Sequence, residues 1–282
     1  MIELPSSRDI PDQAAQYAYE LRGKHRLGDR GIHDLFGFVE TSLGYLLFRY
    51  PFGETAMQWF ASPFHSHRLI ATNSSMRLGR EIFTLAHEIG HHMFDLDPDQ
   101  NKMIGDNETG QFSTANLIEY RADWFAACFL MPEIGVKTTF RLLRENFSID
   151  YRLILQLQRE FSVSYTAMTR RLRDLSLINE EQRRSLNDYY NETNLNLHQL
   201  MTIYGGDTRL LEPAQVKHIP VNYLETLKTN YVNGWITYDV VVNTLGLVGL
   251  SPSNLGIEEK PEPSYEDDDD SIFDKIFTEY GE

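Results

Sequence analysis

Two histidines stand four residues apart with a glutamate between them, in the order His87, Glu88 and His91. Positions i and i+4 of an α-helix lie one turn apart on the same face, so two imidazoles at this spacing can converge on one ion. A catalytic zinc ion takes three protein ligands and leaves a further position for water. The spacing therefore predicts His87 and His91 as metal ligands and Glu88 as a general base beside them.

The residues around this segment predict a buried helix. Apolar residues recur at helical spacing over residues 77–94, and the stripe comprises Ile82, Leu85, Ala86, Ile89 and Met93. Ionisable side chains in apolar surroundings cost free energy unless they are paired or bind a metal. The surroundings therefore favour a metal site over a chance His-Glu-x-x-His on a solvated helix.

The third ligand is expected on another helix that packs against the first. Glu119 is the preferred candidate, and Asp123 follows four residues later on the same predicted helix, residues 116–131. One carboxylate can bind the metal while the other accepts the second ring N–H of a ligating histidine, which is the role expected for Asp123. Asp95 and Asp97 are alternatives, although a ligand directly after the first helix would have to double back.

The expected chemistry is hydrolysis. Zinc lowers the pKa of bound water toward roughly 7 and polarises a carbonyl, while Glu88 takes the proton of the water and passes it to the leaving amine. His65, His67, Tyr120 and His92 are open candidates for the donor that stabilises the oxyanion. Manganese or iron can also occupy a site of two histidines and one carboxylate, because metal selectivity depends on the coordination geometry and on which metals the cell supplies.

These residues resemble the ImmA/IrrE family of metallopeptidases. The resemblance is carried by REIFTLAHEIGH over residues 80–91, EYRADWFAA over 119–127 and LMP over 130–132. It implies a small gluzincin-like fold, zinc bound by the two histidines and Glu119, and a helix-turn-helix transcriptional repressor as the substrate, cut at one site. Asp123 departs from the pattern, since the family often has Asn there.

The fold class predicted from the whole chain is α+β. We expect a mainly helical, zincin-like peptidase domain with a small three-stranded sheet formed by residues 44–50, 57–61 and 67–72, and a loop over residues 95–111. The strand over residues 67–72 is expected to be an exposed edge that accepts an extended substrate peptide by strand addition. A helix-turn-helix-like helical region follows the peptidase domain.

Four regions are predicted along the chain: 1–145 as the zincin-like metallopeptidase domain, 146–204 as the helix-turn-helix-like region, 205–257 as a C-terminal helical region, and 258–282 as an acidic, disordered tail. Gly205, Pro213 and Pro220 indicate a linker before the C-terminal helices. The tail holds eleven acids against two lysines, so it carries most of the net charge of −15. The overall field of such a chain repels nucleic acid and anionic lipid.

Composition limits the remaining possibilities. The chain of 282 residues has one cysteine, which excludes an intrachain disulfide and a four-cysteine zinc site. Cys128 is therefore predicted to be a buried core residue. No apolar run approaches the roughly 18 residues of a membrane span, so a cytoplasmic protein without membrane contact is expected.

The charge pattern of the helical region bears on possible binding partners. Residues 141–184 contain nine arginines against six acids, and Arg170, Arg171 and Arg173 lie on the second helix of the helix-turn-helix. DNA binding is possible but not favoured, because it usually needs a stronger basic surface. A co-encoded repressor is the expected protein partner, and the oligomeric state stays open. The alternative function is a regulatory or toxin–antitoxin-type interaction protein whose metal site is structural or vestigial.

Overall fold

A computed structural model describes residues 9–53, 59–64, 67–94, 104–105 and 114–260. The chain divides into two units, Met1–Leu224 and Glu225–Glu282. It is mostly helical with one small sheet, so the predicted α+β class is confirmed. Within the described ranges, no helix combines the length and the apolar character needed to cross a membrane.

The part of the chain that the structure describes contains twelve α-helices: α1 (Ile10–Lys24), α2 (Leu35–Thr41), α3 (Leu78–Phe94), α4 (Thr114–Leu130), α5 (Glu133–Arg144), α6 (Tyr151–Phe161), α7 (Tyr165–Asp174), α8 (Glu180–Asn187), α9 (Tyr189–Thr193), α10 (Leu197–Tyr204), α11 (Val221–Val232) and α12 (Tyr238–Gly246). Short 3₁₀ helices cover Thr208–Leu211 and Pro252–Leu255. Asn194 ends α9 in a left-handed conformation, and Asn196 caps α10. Residues 180–204 therefore form three separate helices, α8, α9 and α10.

Four strands form one sheet in the described residues, namely β1 (Leu46–Tyr50), β2 (Trp59–Phe64), β3 (His67–Asn73) and β4 (Ile104–Gly105). Their order is β1-β3-β2-β4, with β1 parallel to β3 and β2 antiparallel to both β3 and β4. The first three are the predicted strands. β4 falls in the predicted loop, because two residues are too few to show an alternating pattern.

The position of β3 corrects one expectation. β3 pairs with β1 on one side and with β2 on the other, so it is an internal strand. Its backbone donors and acceptors are used within the sheet, and only an edge strand presents a row of them to a peptide. The expectation that this strand accepts substrate at an exposed edge is therefore wrong. Its buried Ile70 and Ala71 agree with an internal position.

The core of the first unit lies between the sheet and helices α1, α3 and α4. Leu47 and Ile70 of the sheet and Leu85 and Ile89 of α3 are fully buried. Burying such a side chain stabilises the fold by about 1.5–3 kcal/mol. Cys128 on α4 belongs to this core and is buried, as the sequence predicts.

Helices α6 and α7 are joined by a short turn over residues 162–164. Ser162 takes a left-handed conformation after α6, and the side chain of Ser164 caps α7 by accepting from the N–H of Ala167. Arg171 is buried and donates through Nε to the carbonyl of Met131, just after α4, at 3.0 Å. This arginine of the second helix therefore anchors α7 to the peptidase core.

Residues 208–218, called the strap below, occupy much of the predicted linker. Leu210 of the strap is buried in the core of the first unit. Backbone groups of Glu212, Gln215 and His218 make hydrogen bonds to α3, to the turn before α3 and to β1. The strap is therefore packed as an ordered part of the first unit.

The second unit, taken by itself, is helical. Leu227 and Tyr231 of α11 and Val241 and Leu245 of α12 are buried, and the rings of Tyr231 and Tyr238 lie 5.8 Å apart. The hydroxyl of Tyr231 donates to the carbonyl of Glu258 at 2.9 Å and so fixes the segment that returns along α11. Most of the predicted acidic tail, from residue 261 onward, lies outside the described residues.

Candidate metal centre

The two histidines of the HExxH segment lie on the buried side of α3. His87 is 8% exposed and His91 is fully buried. Leu85, Ala86 and Ile89 of the predicted apolar stripe are buried on the same helix. The helix thus places two imidazole rings one turn apart at the boundary of the core, where charge on either ring requires a partner.

The ligand atoms of His87, His91 and Glu119 converge at one point. Nε2 of His87 lies 3.0 Å from Oε2 of Glu119 and 2.9 Å from Nε2 of His91, while Nε2 of His91 lies 3.4 Å from Oε1 of Glu119. Ligand atoms in a tetrahedral zinc site lie roughly 3.3 Å apart, because each bond is about 2.0–2.1 Å long. Two imidazole nitrogens and one carboxylate are also a donor set that suits zinc. The three side chains therefore fit a metal ion.

Among the His, Cys, Asp and Glu side chains of the described residues, these three form the cluster that could hold a metal ion. The alternative third ligands, Asp95 and Asp97, lie outside the described residues. The structure therefore brings together the three ligands that the sequence favours.

The approach of α4 to α3 depends on Gly90. A Cβ atom at this position would lie 3.2 Å from Cα of Ala122 and 3.2 Å from Cδ1 of Phe125. Glycine inside a helix costs about 1 kcal/mol relative to alanine, so a close neighbouring backbone is a physical reason for it. Because Ala122 is three residues from Glu119, this contact helps to set how far the carboxylate stands from the two imidazoles.

Asp123 supports His87 from the other side of the ring. Oδ1 of Asp123 lies 2.9 Å from Nδ1 of His87. An ionised carboxylate only accepts hydrogen bonds, so Nδ1 carries the proton and Nε2 is the atom that can offer a lone pair to a metal. This is the role that the i, i+4 spacing of Glu119 and Asp123 predicts.

The charges of the cluster shift its pKa values in opposite directions. Burial lowers the pKa of His87, but hydrogen bonds to Asp123 and Glu119 and the charge of Glu88 outweigh burial and raise it to about 10. Burial raises the pKa of Glu119, and hydrogen bonds with His87 and His91 outweigh it and lower the pKa to about 2. A metal ion that binds here must therefore displace a proton from His87.

Glu88 is fully buried next to the metal-binding group. Glu88 directly follows His87, and its negative charge contributes to the raised pKa of that ring. A carboxylate in this position can hold a proton in a reaction at the metal.

Two contacts fix α3 against the sheet. Near its start, Oε1 of buried Glu81 accepts from Nε of Arg49 at 2.9 Å and from the hydroxyl of Thr72 at 2.8 Å. Near its end, Nε2 of His92 lies 3.1 Å from the carbonyl oxygen of Leu69 on β3. Together these contacts fix both ends of the helix that carries the histidines.

The four candidates for an oxyanion donor differ in burial and in hydrogen bonding. Burial lowers the pKa of His92 to about 4, so the ring is neutral and its Nε2–H is used by Leu69. Tyr120 is 41% exposed and adjoins Glu119 on α4. His65 lies outside the described residues, and only the backbone of His67 is described. Tyr120 therefore stays a candidate for the oxyanion donor, whereas His92 does not.

A paired-histidine helix, a second helix that brings a glutamate, and a small mixed sheet together define a zincin-like domain of the metallopeptidase class. Residues 41–173 match the family model of the IrrE N-terminal-like domain, peptidase M78. This match confirms the resemblance to the ImmA/IrrE metallopeptidases for residues 41–173. No curated protein matches the chain closely enough to count as a relative.

Sequence reasoning missed the side chains and backbone that position the ligands. The ion pair between Glu81 and Arg49 joins residues that are 32 positions apart, and nothing in either local segment indicates the pairing. Gly90 did carry a signal, because a glycine in the middle of an apolar helix indicates close backbone contact.

Proposed function

We propose that this protein is a metal-dependent endopeptidase, with zinc as its metal, bound by His87, His91 and Glu119. The observation that carries the proposal is the convergence of three ligand atoms, which all lie within 4.8 Å of one another. The match of residues 41–173 to the family model of peptidase M78 supports the same conclusion. Manganese and iron are the other metals to test for, since the donor set accepts them.

Zinc in such a site supplies Lewis-acid polarisation of the peptide carbonyl and a lowered pKa of water. Glu88 takes one proton from the attacking water, whose oxygen forms the new bond to the carbonyl carbon. As the C–N bond breaks, Glu88 delivers that proton to the leaving amine nitrogen, so the reaction needs no covalent enzyme intermediate. Asp123 keeps His87 in the tautomer that leaves Nε2 available.

The substrate is proposed to be a specific protein, namely a helix-turn-helix repressor of the XRE type encoded beside this chain. This follows from the resemblance to the ImmA/IrrE family. Cleavage would inactivate the repressor and derepress stress-response or mobile-element genes. We place this activity in the cytoplasm, where a single buried thiol such as Cys128 stays reduced.

The experiment compares the wild-type protein with Glu88→Gln on a purified co-encoded repressor, with metal content measured for both. Glu88→Gln should keep its metal and lose about 10²- to 10⁴-fold in cleavage rate, which is the usual contribution of a positioned proton shuttle. Glu145→Gln, at an exposed residue after α5, is the matched control and should cleave normally. Cleavage that survives Glu88→Gln, or a wild-type protein without metal, would overturn the proposal. Repressor binding without cleavage would instead favour the interaction-protein alternative.

A further inference from the structure

The strap, residues 208–218, contacts the first turn of the helix that carries the candidate metal ligands. The backbone N–H of Leu78 donates to the carbonyl of Glu212 at 2.9 Å. A Cβ atom at Gly79 would lie 3.1 Å from the carbonyl oxygen of Leu210, so the strap backbone passes directly over this residue. The first N–H groups of a helix have no partner inside the helix, and the strap supplies one for α3.

The strap also joins α3 to the sheet. Ser74, buried in the turn between β3 and α3, accepts from the N–H of Gln215 at 3.0 Å and donates through Oγ to the carbonyl of Val216 at 2.7 Å. Arg49 of β1 exchanges two backbone hydrogen bonds with His218, at 3.1 and 2.8 Å. One segment therefore contacts β1, the turn after β3 and the start of α3.

Side chains reinforce this connection. The guanidinium of Arg49, whose backbone pairs with the strap, makes two hydrogen bonds of 2.9 Å to the carboxylate of Glu81 on α3. Nε2 of His218 lies 2.8 Å from Oε1 of Glu40, just before the end of α2. A displaced strap would therefore disturb the anchoring of α3 as well as its first turn.

We infer that the strap is a positioning element of the candidate metal centre. The strap and Glu81 hold the start of α3, and the contact of Gly90 with Ala122 holds its later turns, so both are needed to aim His87 and His91 at Glu119. The strap lies beyond residue 173, where the family match ends. This inference rests on the proposed metal site, but it does not depend on cleavage of any substrate.

The first test moves the strap by a substitution far from the ligands. Gly79→Val in the full chain places a branched side chain against the carbonyl of Leu210, which lies 3.1 Å from a Cβ at this position, nearer than the backbone nitrogen of Ser164 at 3.4 Å. We expect the zinc Kd to rise about tenfold, as for loss of other groups that orient metal ligands. The visible absorption of the Co²⁺-substituted protein should change, and amide exchange in α3 should become faster. Gly23→Val is the control, because nothing lies within 4 Å of a Cβ at that position.

The second test crosslinks the strap to the residue before α3 through a disulfide. Arg77 and Pro213 face each other in an isolated antiparallel bridge, and both are exposed. The hydrogen bond from Leu78 to Glu212 joins the residues next to Arg77 and Pro213, so Arg77 and Pro213 themselves are a non-hydrogen-bonded pair. The Cα atoms of such a pair lie about 4.5 Å apart, which is close enough for a disulfide. With Arg77→Cys and Pro213→Cys added to Gly79→Val, oxidation should restore the zinc Kd and the Co²⁺ spectrum, and a reductant should abolish the rescue.

The outcomes separate this inference from the proposed function. A wild-type chain that binds no metal would defeat the proposed function, while amide exchange of α3 in Gly79→Val, with and without the crosslink, would still report on the strap. If Gly79→Val is folded by circular dichroism and keeps its zinc Kd, Co²⁺ spectrum and exchange rates, the strap adds only stability and the inference is wrong. An oxidised crosslink that weakens metal binding in the otherwise wild-type chain would also overturn it.

Discussion

Oδ1 of Asp123 lies 2.9 Å from Nδ1 of His87, while Nε2 of the same ring lies 3.0 Å from Oε2 of Glu119. A single imidazole is thus held between two carboxylates that stand one turn apart on α4. One of them sets the tautomer of the ring, and the other faces the atom that would bind the metal.

Removing the carboxylate of Asp123 should weaken metal binding without removing a metal ligand. We expect Asp123→Ala to lower zinc affinity about 10- to 100-fold, because His87 loses the group that orients it. Asp123→Asn should cost less, since the amide oxygen can still accept from Nδ1. Competition with a chelator measures both, and Asp12→Ala on the exposed side of α1 is the control. Equal affinities for Asp123→Ala and wild type would contradict the assignment.

Zinc affinity should increase with pH. The pKa of His87 is raised to about 10, so the ring is protonated in the metal-free protein between pH 6 and 8. Binding then releases at least one proton, and the apparent affinity should rise about tenfold for each pH unit. Calorimetry in buffers of different ionisation enthalpy counts the protons, and a pH-independent affinity would rule out this coupling.

The ion pair between His87 and Glu119 makes the stability of the metal-free protein depend on pH. The pKa of His87 is raised to about 10, so its stabilising effect is complete below the unfolded value near 6.5 and is lost as the pH rises through 10. Glu119, with its pKa lowered to about 2, stabilises above its unfolded value near 4.3 and loses this effect as the pH falls through 2. Urea unfolding of His87→Ala should show a flatter pH profile above pH 6.5. A profile unchanged from wild type would argue against the ion pair.

Enlarging Gly90 should separate the two helices that carry the ligands. Gly90→Ala brings Cβ to 3.2 Å from Ala122, and Gly90→Leu cannot be accommodated without moving α4. We expect weaker zinc binding for Gly90→Ala, although alanine favours the helix by about 1 kcal/mol, and loss of binding for Gly90→Leu. Gly23→Ala in α1, which meets no neighbour, should keep its zinc affinity. Chelator competition measures the loss of zinc binding, and urea unfolding shows whether the whole fold is destabilised as well.

Replacing only one partner of the buried ion pair between Arg49 and Glu81 should strongly lower the free energy of unfolding. Glu81 is fully buried, so Arg49→Met leaves an uncompensated carboxylate and should cost about 3–5 kcal/mol of unfolding free energy. The double variant Arg49→Met, Glu81→Leu should cost much less than the two single variants added together, because the buried charge is gone. Urea denaturation measures the cycle, and additive costs would show that the two groups do not interact.

Local sequence patterns were sufficient for the chemistry of the candidate site. The period of α3, the four-residue spacing of His87 and His91, and the same spacing of Glu119 and Asp123 are properties of single helices. Short-range geometry fixes which side chains share a helix face, and therefore those residues could be named without coordinates. The mixed α+β class could be predicted for the same reason.

Contacts between distant segments could not be read in this way. The internal position of β3, the approach of Ala122 to Gly90 and the pairing of Arg49 with Glu81 each depend on which elements become neighbours in space. The region around Pro213 has the composition of a linker, yet the strap fills the space beside α3 and β1, where its backbone groups find partners. The residue types thus specify what the site can bind, and long-range packing specifies how the ligands are held.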